Sequence, residues 1–341
     1  MNRFVLPGVA LLAASACGAD PVDEDWRFLG ALSFEPEDGQ ALTASVVLGG
    51  GAGGFALLAE LDGCANIARL EDESVWVERL ERGPSCQDCR GAFSMVAGRG
   101  LWVHAPRPAR EGPIEVRLGR IDCRTLIPAR PEEGGRIKLW ARALPADRNV
   151  SLAVVLREGP DASPLDPEAL LARAGAYFQD TGVELMLRRN VQEASLPRHV
   201  EWFEGAPESL PSKRHGHGLV EVLRTGCLER VHPQLGSRRT LDGLVPRVPA
   251  LAGPNGAVYL RQLACGGTSK RPLERSLEQE AKLLAHELGH YLGLHHVDEG
   301  QGREDALMRV DPLSGEAHSF SPDEARRLRL HAILVADSLP H

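Results

Sequence analysis

Lysine is scarce in this chain: Lys138, Lys213, Lys270 and Lys282 are its only ones, and arginine supplies the rest of the positive charge. We read this as compositional bias, not chemistry. The formal net charge of −8 argues against nucleic acid as a partner, which would want a basic face. Long apolar runs are also lacking. Nothing in the chain approaches the roughly 20 apolar residues of a membrane-spanning helix. Nor is there an internal repeat. What remains is ordinary: 43% hydrophobic and 25% charged residues over 341 positions. That suits a soluble globular chain of two domains, or of one large domain with additions.

The N-terminus stands apart. "MNRFVLPGVALLAASAC" carries a positive charge at Arg3, a short apolar core and small residues before Cys17. This is the layout of an export signal over 1–16, too short to span a membrane. Ala14-Ser15-Ala16 fits an ordinary cleavage site. With Cys17 added, the same residues resemble a bacterial lipobox, with Ala14 where that box more often has Leu. The cysteine count favours the lipobox. Removing Cys17 leaves Cys64, Cys86, Cys89, Cys123, Cys227 and Cys265, an even set suited to disulfides in an exported protein. Cys17 is therefore expected to be the lipidated first residue of the mature chain, with 17–26 as a polar tether. Gly18 is not the Asp that favours inner-membrane retention in enteric bacteria. The expected location is thus the outer membrane, or otherwise the cell surface or periplasm, of a bacterium.

Residues 27–127 look β-rich: short apolar or alternating runs such as "SVWVERL", "GLWVHA" and "IEVRLGRI" are split by Gly and Pro. A small accessory domain is expected there, stapled by its own four cysteines, Cys64, Cys86, Cys89 and Cys123. "PARPEEGGR" has linker composition, so 128–149 is read as a linker or first strand. From 150 the pattern changes. "VSLAVVL" reads as a buried strand. Asp166 as N-cap, Pro167 at N1 and a stripe of Leu170, Leu171, Ala174, Tyr177 and Phe178 then make a helix that Gly182 ends. "VELMLR" completes a strand–helix–strand unit. "LVEVLR" and "AVYLRQ" read as further strands. The Pro-, Gly- and His-rich segment 189–256 is otherwise unassigned. Capping boxes at Ser276/Gln279 and Ser321/Glu324 start two more helices.

The first of those helices runs into "LLAHELGHYLGLHHVDE". Residues four apart share one helical face, so His286 and His290 can hold one ion. Imidazole suits zinc, and a catalytic zinc takes three protein ligands and leaves a fourth position open. Glu287 sits beside the first histidine. Gly293 can adopt positive φ, and the turn it permits can bring a third ligand back, with His296 three residues on.

His286-Glu287-Leu288-Gly289-His290-Tyr291-Leu292-Gly293-Leu294-His295-His296 resembles the zinc signature of the metzincin metallopeptidases. Met308, twelve residues past His296, matches the family's methionine turn. The nearest general look is of bacterial matrixin- and pappalysin-like proteins. The subfamily is unplaced, because Val297 and Asp298 follow the third histidine, and no Pro-Arg-Cys-Gly latency switch is present. The resemblance implies an α/β catalytic domain over 150–341, a twisted mixed sheet with an active-site helix, preceded by the β-rich domain. It implies Zn2+ held by His286, His290 and His296, with Glu287 as general base and Met308 as the floor. Spacing favours His296 over His295 as third ligand, and Tyr291 is expected to pack. It further implies a protein or peptide substrate bound as an extended strand along a sheet edge. The chain is expected to act as a monomer, its catalytic unit complete within 128–341 and the 27–127 domain either binding a partner or covering the cleft.

Two rival readings remain at this stage. One is a metalloprotease-fold binding protein without turnover, against which Glu287 argues. The other is a non-peptidase zinc hydrolase. Weaker features have plainer explanations. Cys86-Gln-Asp-Cys89 is read as structural disulfide cysteine. Cys227 and Cys265 are expected to pair with each other. His215-Gly-His217 is read as an exposed loop. The acidic run Asp298, Glu299, Glu304 and Asp305 lacks EF-hand spacing and is read as solvated.

Overall fold

A computed structural model describes residues 26–33, 40–48, 52–61, 63–70, 91–96, 99–104, 112–121, 136–160, 162, 164–203, 219–231, 236–246, 248, 256–266, 271–296, 306–314 and 319–337. The N-terminal half is built of strands: β1 (Arg27–Ser33), β2 (Gln40–Leu48), β3 (Ala52–Leu61), β4 (Cys64–Leu70), β5 (Gly91–Val96), β6 (Arg99–His104), β7 (Gly112–Ile121) and β8 (Arg136–Pro145). They form a five-stranded sheet ordered β1-β8-β3-β6-β5 and a three-stranded sheet ordered β2-β7-β4, antiparallel throughout. The stretch 128–149 therefore contains a strand, β8, that pairs with β1 and β3. It belongs to this first sheet and not to the α/β sheet that follows. Its Ile137, Leu139 and Ala141 are buried at alternate positions, the two-residue period of a strand with a covered face. The Pro/Gly composition just upstream hides that period.

The second half opens with β9 (Val150–Glu158), α1 (Pro167–Ala176) and β10 (Val183–Gln192), a parallel pair joined by a helical crossover. The chain continues through β11 (His199–Phe203), β12 (Leu219–Thr225), β13 (Cys227–Val231), β14 (Arg238–Thr240), β15 (Gly243–Leu244), β16 (Ala257–Arg261), α2 (Leu277–Tyr291) and α3 (Pro322–Ala336). The central sheet runs β10-β9-β12-β16-β15. Its strands are parallel except for the short edge strand β15. The inner strands are apolar runs because a parallel sheet is covered on both faces. A small sheet, β11-β13-β14, lies apart from it. Thus the unassigned segment 189–256 holds the short strands β11, β13, β14 and β15.

Helix starts follow the sequence signals. Asp166 accepts from the Glu168 N–H at 3.1 Å, and both capping boxes form, Ser276 with Gln279 and Ser321 with Glu324. The end of α1 differs from expectation. Its regular turns stop at Ala176, where tighter bonds take over, from the Tyr177 N–H to the Ala174 carbonyl and from Phe178 to Gly175. Thr181 then bonds the Phe178 carbonyl through its hydroxyl at 2.8 Å, and Gly182, at φ 74°, turns the chain into β10. Cys227 and Cys265 form the expected disulfide, Cα–Cα 5.1 Å, which ties the start of β13 to the segment after β16.

α3 lies between the two five-stranded sheets, touching β9 on one side and β3, β6 and β8 on the other. One continuous core results. It includes Ala56, Leu58 and Leu101 from the first sheet with Val154, Leu284 and Leu328 from the second half. Polar contacts lock the same junction. Arg142 and Arg148 both donate to Asp337, at 2.6 to 2.8 Å, and Arg326 donates to the Gly53 carbonyl at 2.8 Å.

Candidate metal centre

α2 sets His286 and His290 one turn apart on the same face, and both are buried. Each ring is fixed by its Nδ1. His286 donates to the Leu307 carbonyl at 2.8 Å and His290 to the Leu294 carbonyl at 2.7 Å. A carbonyl can only accept, so the proton is on Nδ1 and the lone pair on Nε2. The two Nε2 atoms face each other at 3.1 Å, and the Nε2 of exposed His296 joins them at 3.1 and 3.3 Å. His286, His290 and His296 thus come together. His295 is not part of that group and lies near Arg327, whose charge adds to burial in lowering its pKa to about 4.

The turn after α2 does the gathering. Gly293 has φ 90°. Its N–H bonds the His290 carbonyl, and the Leu294 N–H bonds the Gly289 carbonyl, both at 2.9 Å. This pair of bonds is the Schellman stop, which wants glycine at the left-handed position. The same reversal places the Leu294 carbonyl on His290 and carries His296 back over the helix end.

The donor set fits zinc. Burial is the first cause that holds the histidines neutral: His286 falls to about 3, His290 is well below its ordinary value, and His296 is lowered as well, with Arg239 as a second cause. Neutral imidazole is the form that binds metal. Convergent lone pairs at about 3 Å repel unless a cation sits among them. A tetrahedral ion about 2.0–2.1 Å from each nitrogen requires separations of about 3.3–3.4 Å, close to those found.

Glu287 follows His286 on the same helix. It is 5% exposed, and its Oε2 has no hydrogen-bond partner. Burial raises its pKa to about 8, and the Asp242 charge adds to the rise. A dication beside it would favour the carboxylate again. The edge strand presses against it: a Cβ on Gly243 would lie 2.4 Å from Glu287 Oε1 and 2.6 Å from its Cγ.

That strand is held by a buried charge network. Arg224, 0% exposed, donates to Glu158, to Gln262 at 3.0 Å and to Glu280 of α2 at 3.3 Å. Arg275 bonds the other Glu280 oxygen at 3.2 Å and also Asp242, which takes a second bond from Arg261 at 2.6 Å. Burial alone would raise the Asp242 carboxyl, but the two arginines bring it below the usual range. Removing one partner of such a network costs about 3–5 kcal/mol. Asp242 precedes Gly243, so the network sets where the edge strand meets Glu287.

Met308 is fully buried, and its sulfur would lie 2.5 Å from a Cβ on Gly289, between the two helix histidines. Tyr291 is buried, which raises its hydroxyl pKa. The spacing of the motif singles out neither Gly289 nor Asp242 and Gly243. A glycine inside a helix costs about 1 kcal/mol, and that cost was the available signal for close packing at Gly289. Cys17, the pair Cys86 and Cys89, Cys123, His215, His217, Val297, Asp298, Glu299, Glu304 and Asp305 lie outside the described residues.

No protein-family model and no curated protein matches the chain. Among solved structures it is similar to archaemetzincin from Methanopyrus kandleri, at 16% identity and TM-score 0.36, over 54% of this chain and 97% of that one. It is also similar to metalloproteinase-II from Bacteroides fragilis, at 15% identity and TM-score 0.30, over 56% of this chain and 62% of that one. A family two carbohydrate esterase from Cellvibrio japonicus aligns at 8% identity with a TM-score of 0.15. Likeness at these levels assigns no function.

Proposed function

We propose that this chain is a zinc-dependent endopeptidase of metzincin type, with His286, His290 and His296 as zinc ligands. The observation that carries this reading is the convergence of three Nε2 atoms, two of them with their Nδ1 committed to carbonyls. When bound, zinc supplies Lewis-acid polarisation of a peptide carbonyl and acidifies water toward a pKa of about 7. Glu287 takes the proton of the attacking water and returns it to the leaving amine. Its partnerless Oε2 is free for that exchange. Met308 and Gly289 hold the turn of α2 between the histidines. The edge strand β15 offers the backbone along which an extended peptide lies.

The test is metal content and peptide cleavage measured together. Glu287→Gln keeps zinc and loses roughly 10²–10⁴ in turnover. His296→Ala loses zinc, whereas His295→Ala keeps it. A zinc-loaded Glu287→Gln protein at wild-type rate, or the reverse result for the two histidines, sinks the assignment.

The chain is further proposed to be exported and anchored through lipid on Cys17. The charged start, the small residues before Cys17 and the even remaining cysteines support this, as does the Cys227–Cys265 disulfide. Fractionation of wild type against Cys17→Ala, with mass spectrometry of the N-terminus, decides it. Soluble wild-type protein with an unmodified Cys17 removes the anchor.

A further inference from the structure

β13 carries a cysteine and a glutamate two residues apart, Cys227 and Glu229, which puts both side chains on one face of the strand. β11 lies parallel to it, with His199 opposite Cys227 and Glu201 opposite Glu229. Four residues able to bind metal thus share one face of the small sheet, and none of them belongs to the histidine centre. His199 Nε2 is 2.8 Å from Glu229 Oε2 and 4.0 Å from Glu201 Oε1. One ligand atom each from His199, Cys227 and Glu229 lies within 4.8 Å of the other two. Imidazole, thiolate and carboxylate are the donors that zinc takes.

Two contacts compete with an ion there. Arg238 donates to Glu201 and, at 3.1 Å, to Glu229, so it is the resident cation of the two carboxylates. Burial alone would raise the Glu229 carboxyl, but the bonds from His199 and Arg238 bring it below its ordinary range. Cys227 is joined to Cys265, and a disulfide sulfur is not a thiolate. Both contacts are reversible. The Arg238 side chain is 51% exposed. Cys227 is buried, whereas Cys265 is half-buried and followed by exposed Gly266. An incoming thiolate therefore reaches the Cys265 sulfur, and Cys227 is the thiolate that leaves, set free opposite His199.

We propose that reduction of the Cys227–Cys265 disulfide opens a second zinc site, with the Cys227 thiolate, His199 Nε2 and Glu229 as ligands and Arg238 as the cation that the metal displaces. This does not depend on the peptidase reading. A dithiol supplies the two electrons and two protons: it closes to a cyclic disulfide, and Cys227 and Cys265 become thiols. Zinc then takes the Cys227 sulfur and releases its proton. Tetrahedral ligation wants donor separations of about 3.3–3.6 Å, so the group must adjust by about 1 Å, a shift open to an exposed histidine and a cysteine released from its partner. The disulfide ties β13 to the segment after β16. The metal would tie β13 to β11 instead, so the redox state selects which neighbour this strand is fastened to.

Cobalt(II) is the probe, because a thiolate ligand gives it a near-ultraviolet charge-transfer band that three imidazoles do not. The full chain carries Cys265→Ser, which frees Cys227 without any reductant and leaves Cys64, Cys86, Cys89 and Cys123 as they are. Thiol titration first establishes one added thiol per chain. The band should then appear in Cys265→Ser, saturate at one cobalt per chain, and be absent from the oxidised wild type. Adding His199→Ala should weaken cobalt binding at least about tenfold, and adding Arg238→Gln should tighten it about two- to fivefold. If Cys265→Ser does not fold, the wild type decides: after dithiothreitol treatment and removal of the reductant without air, it should show a band that Cys227→Ser treated alike lacks. No band in the folded Cys265→Ser protein, a band that His199→Ala leaves unchanged, or an equal band in reduced wild type and reduced Cys227→Ser overturns the site.

Discussion

Replacing Gly243 with alanine is the sharpest single test of how the edge strand and Glu287 fit together. The added Cβ would lie 2.4 Å from Oε1, 2.6 Å from Cδ and 2.6 Å from Cγ of Glu287. Ordinary van der Waals contact begins near 3.4 Å, so the overlap is about 1 Å. A flexible carboxylate could swing away from one such contact. Here the clash extends to Cγ, which is not the far end of the side chain, and Glu287 is buried. The strand cannot retreat freely either, since Asp242 is bonded by Arg261 and Arg275. Glu287 must therefore move by roughly 1 Å, and a misplacement of that size at a reacting group costs on the order of 10²-fold in rate. Overpacking should also cost about 1–3 kcal/mol of stability. The assay is kcat and KM on a fluorogenic peptide, with zinc content and thermal midpoint on the same sample. Zinc should remain at one per chain, because neither Gly243 nor Glu287 holds it. Wild-type kcat in a zinc-loaded Gly243→Ala protein refutes the argument that this backbone positions the carboxylate.

Two further expectations concern α3. His331 is 0% exposed, donates its Nδ1–H to the Arg327 carbonyl at 2.9 Å and has no partner for Nε2. Burial, with smaller effects from Arg327 and His295, lowers its pKa to about 4. The unfolded chain takes that proton near 6.5, so between the two values it binds more protons than the folded one. Stability then rises with pH through this window and is lost as pH drops from about 6.5 to about 4, by about 1.4 kcal/mol per unit, roughly 3 kcal/mol in all. His331→Leu should flatten that slope in denaturant titrations at pH 6.5 and 4, and equal slopes in both proteins contradict it. A chain beginning at residue 146 should misfold, since it strips Ala56, Leu58, Leu101 and Leu144 from the shared core and Arg142 from Asp337. A soluble and fully active 146–341 protein, by circular dichroism and peptide cleavage, would show that the first sheet is dispensable.

Much of the second half was legible because its signals are local. Asp166 with Pro167, the two capping boxes and Gly293 mark helix ends through bonds made within a few residues. "LVEVLR" and "AVYLRQ" read as strands and are β12 and β16. What stayed hidden depends on distant partners. Nothing around Arg224 says that a charged residue there is fully buried, since its partners Glu158 and Glu280 are 66 and 56 residues away. β14 and β15 are three and two residues long, too short for any period to show. β8 follows a linker-like stretch, and its membership in the first sheet is decided by β1 and β3. Of the candidate site, the histidines were readable from spacing. The wall formed by Asp242 and Gly243 was not, because it approaches Glu287 from a strand more than forty positions upstream.

The Schellman stop after α2 acts as a ruler of fixed length. One reversal ends the helix at Tyr291, hands the Leu294 carbonyl to His290 and delivers His296. Adding or deleting a single residue between 290 and 296 would shift all three outcomes at once, and no side-chain change elsewhere could restore them together. The segment should thus tolerate changes of identity at several positions but none of count. Opening of this one turn, by fraying of the helix end, would free two of the three rings in a single event. Release of a bound ion would then follow the lifetime of the Gly293 and Leu294 amide hydrogen bonds, which hydrogen exchange can time residue by residue.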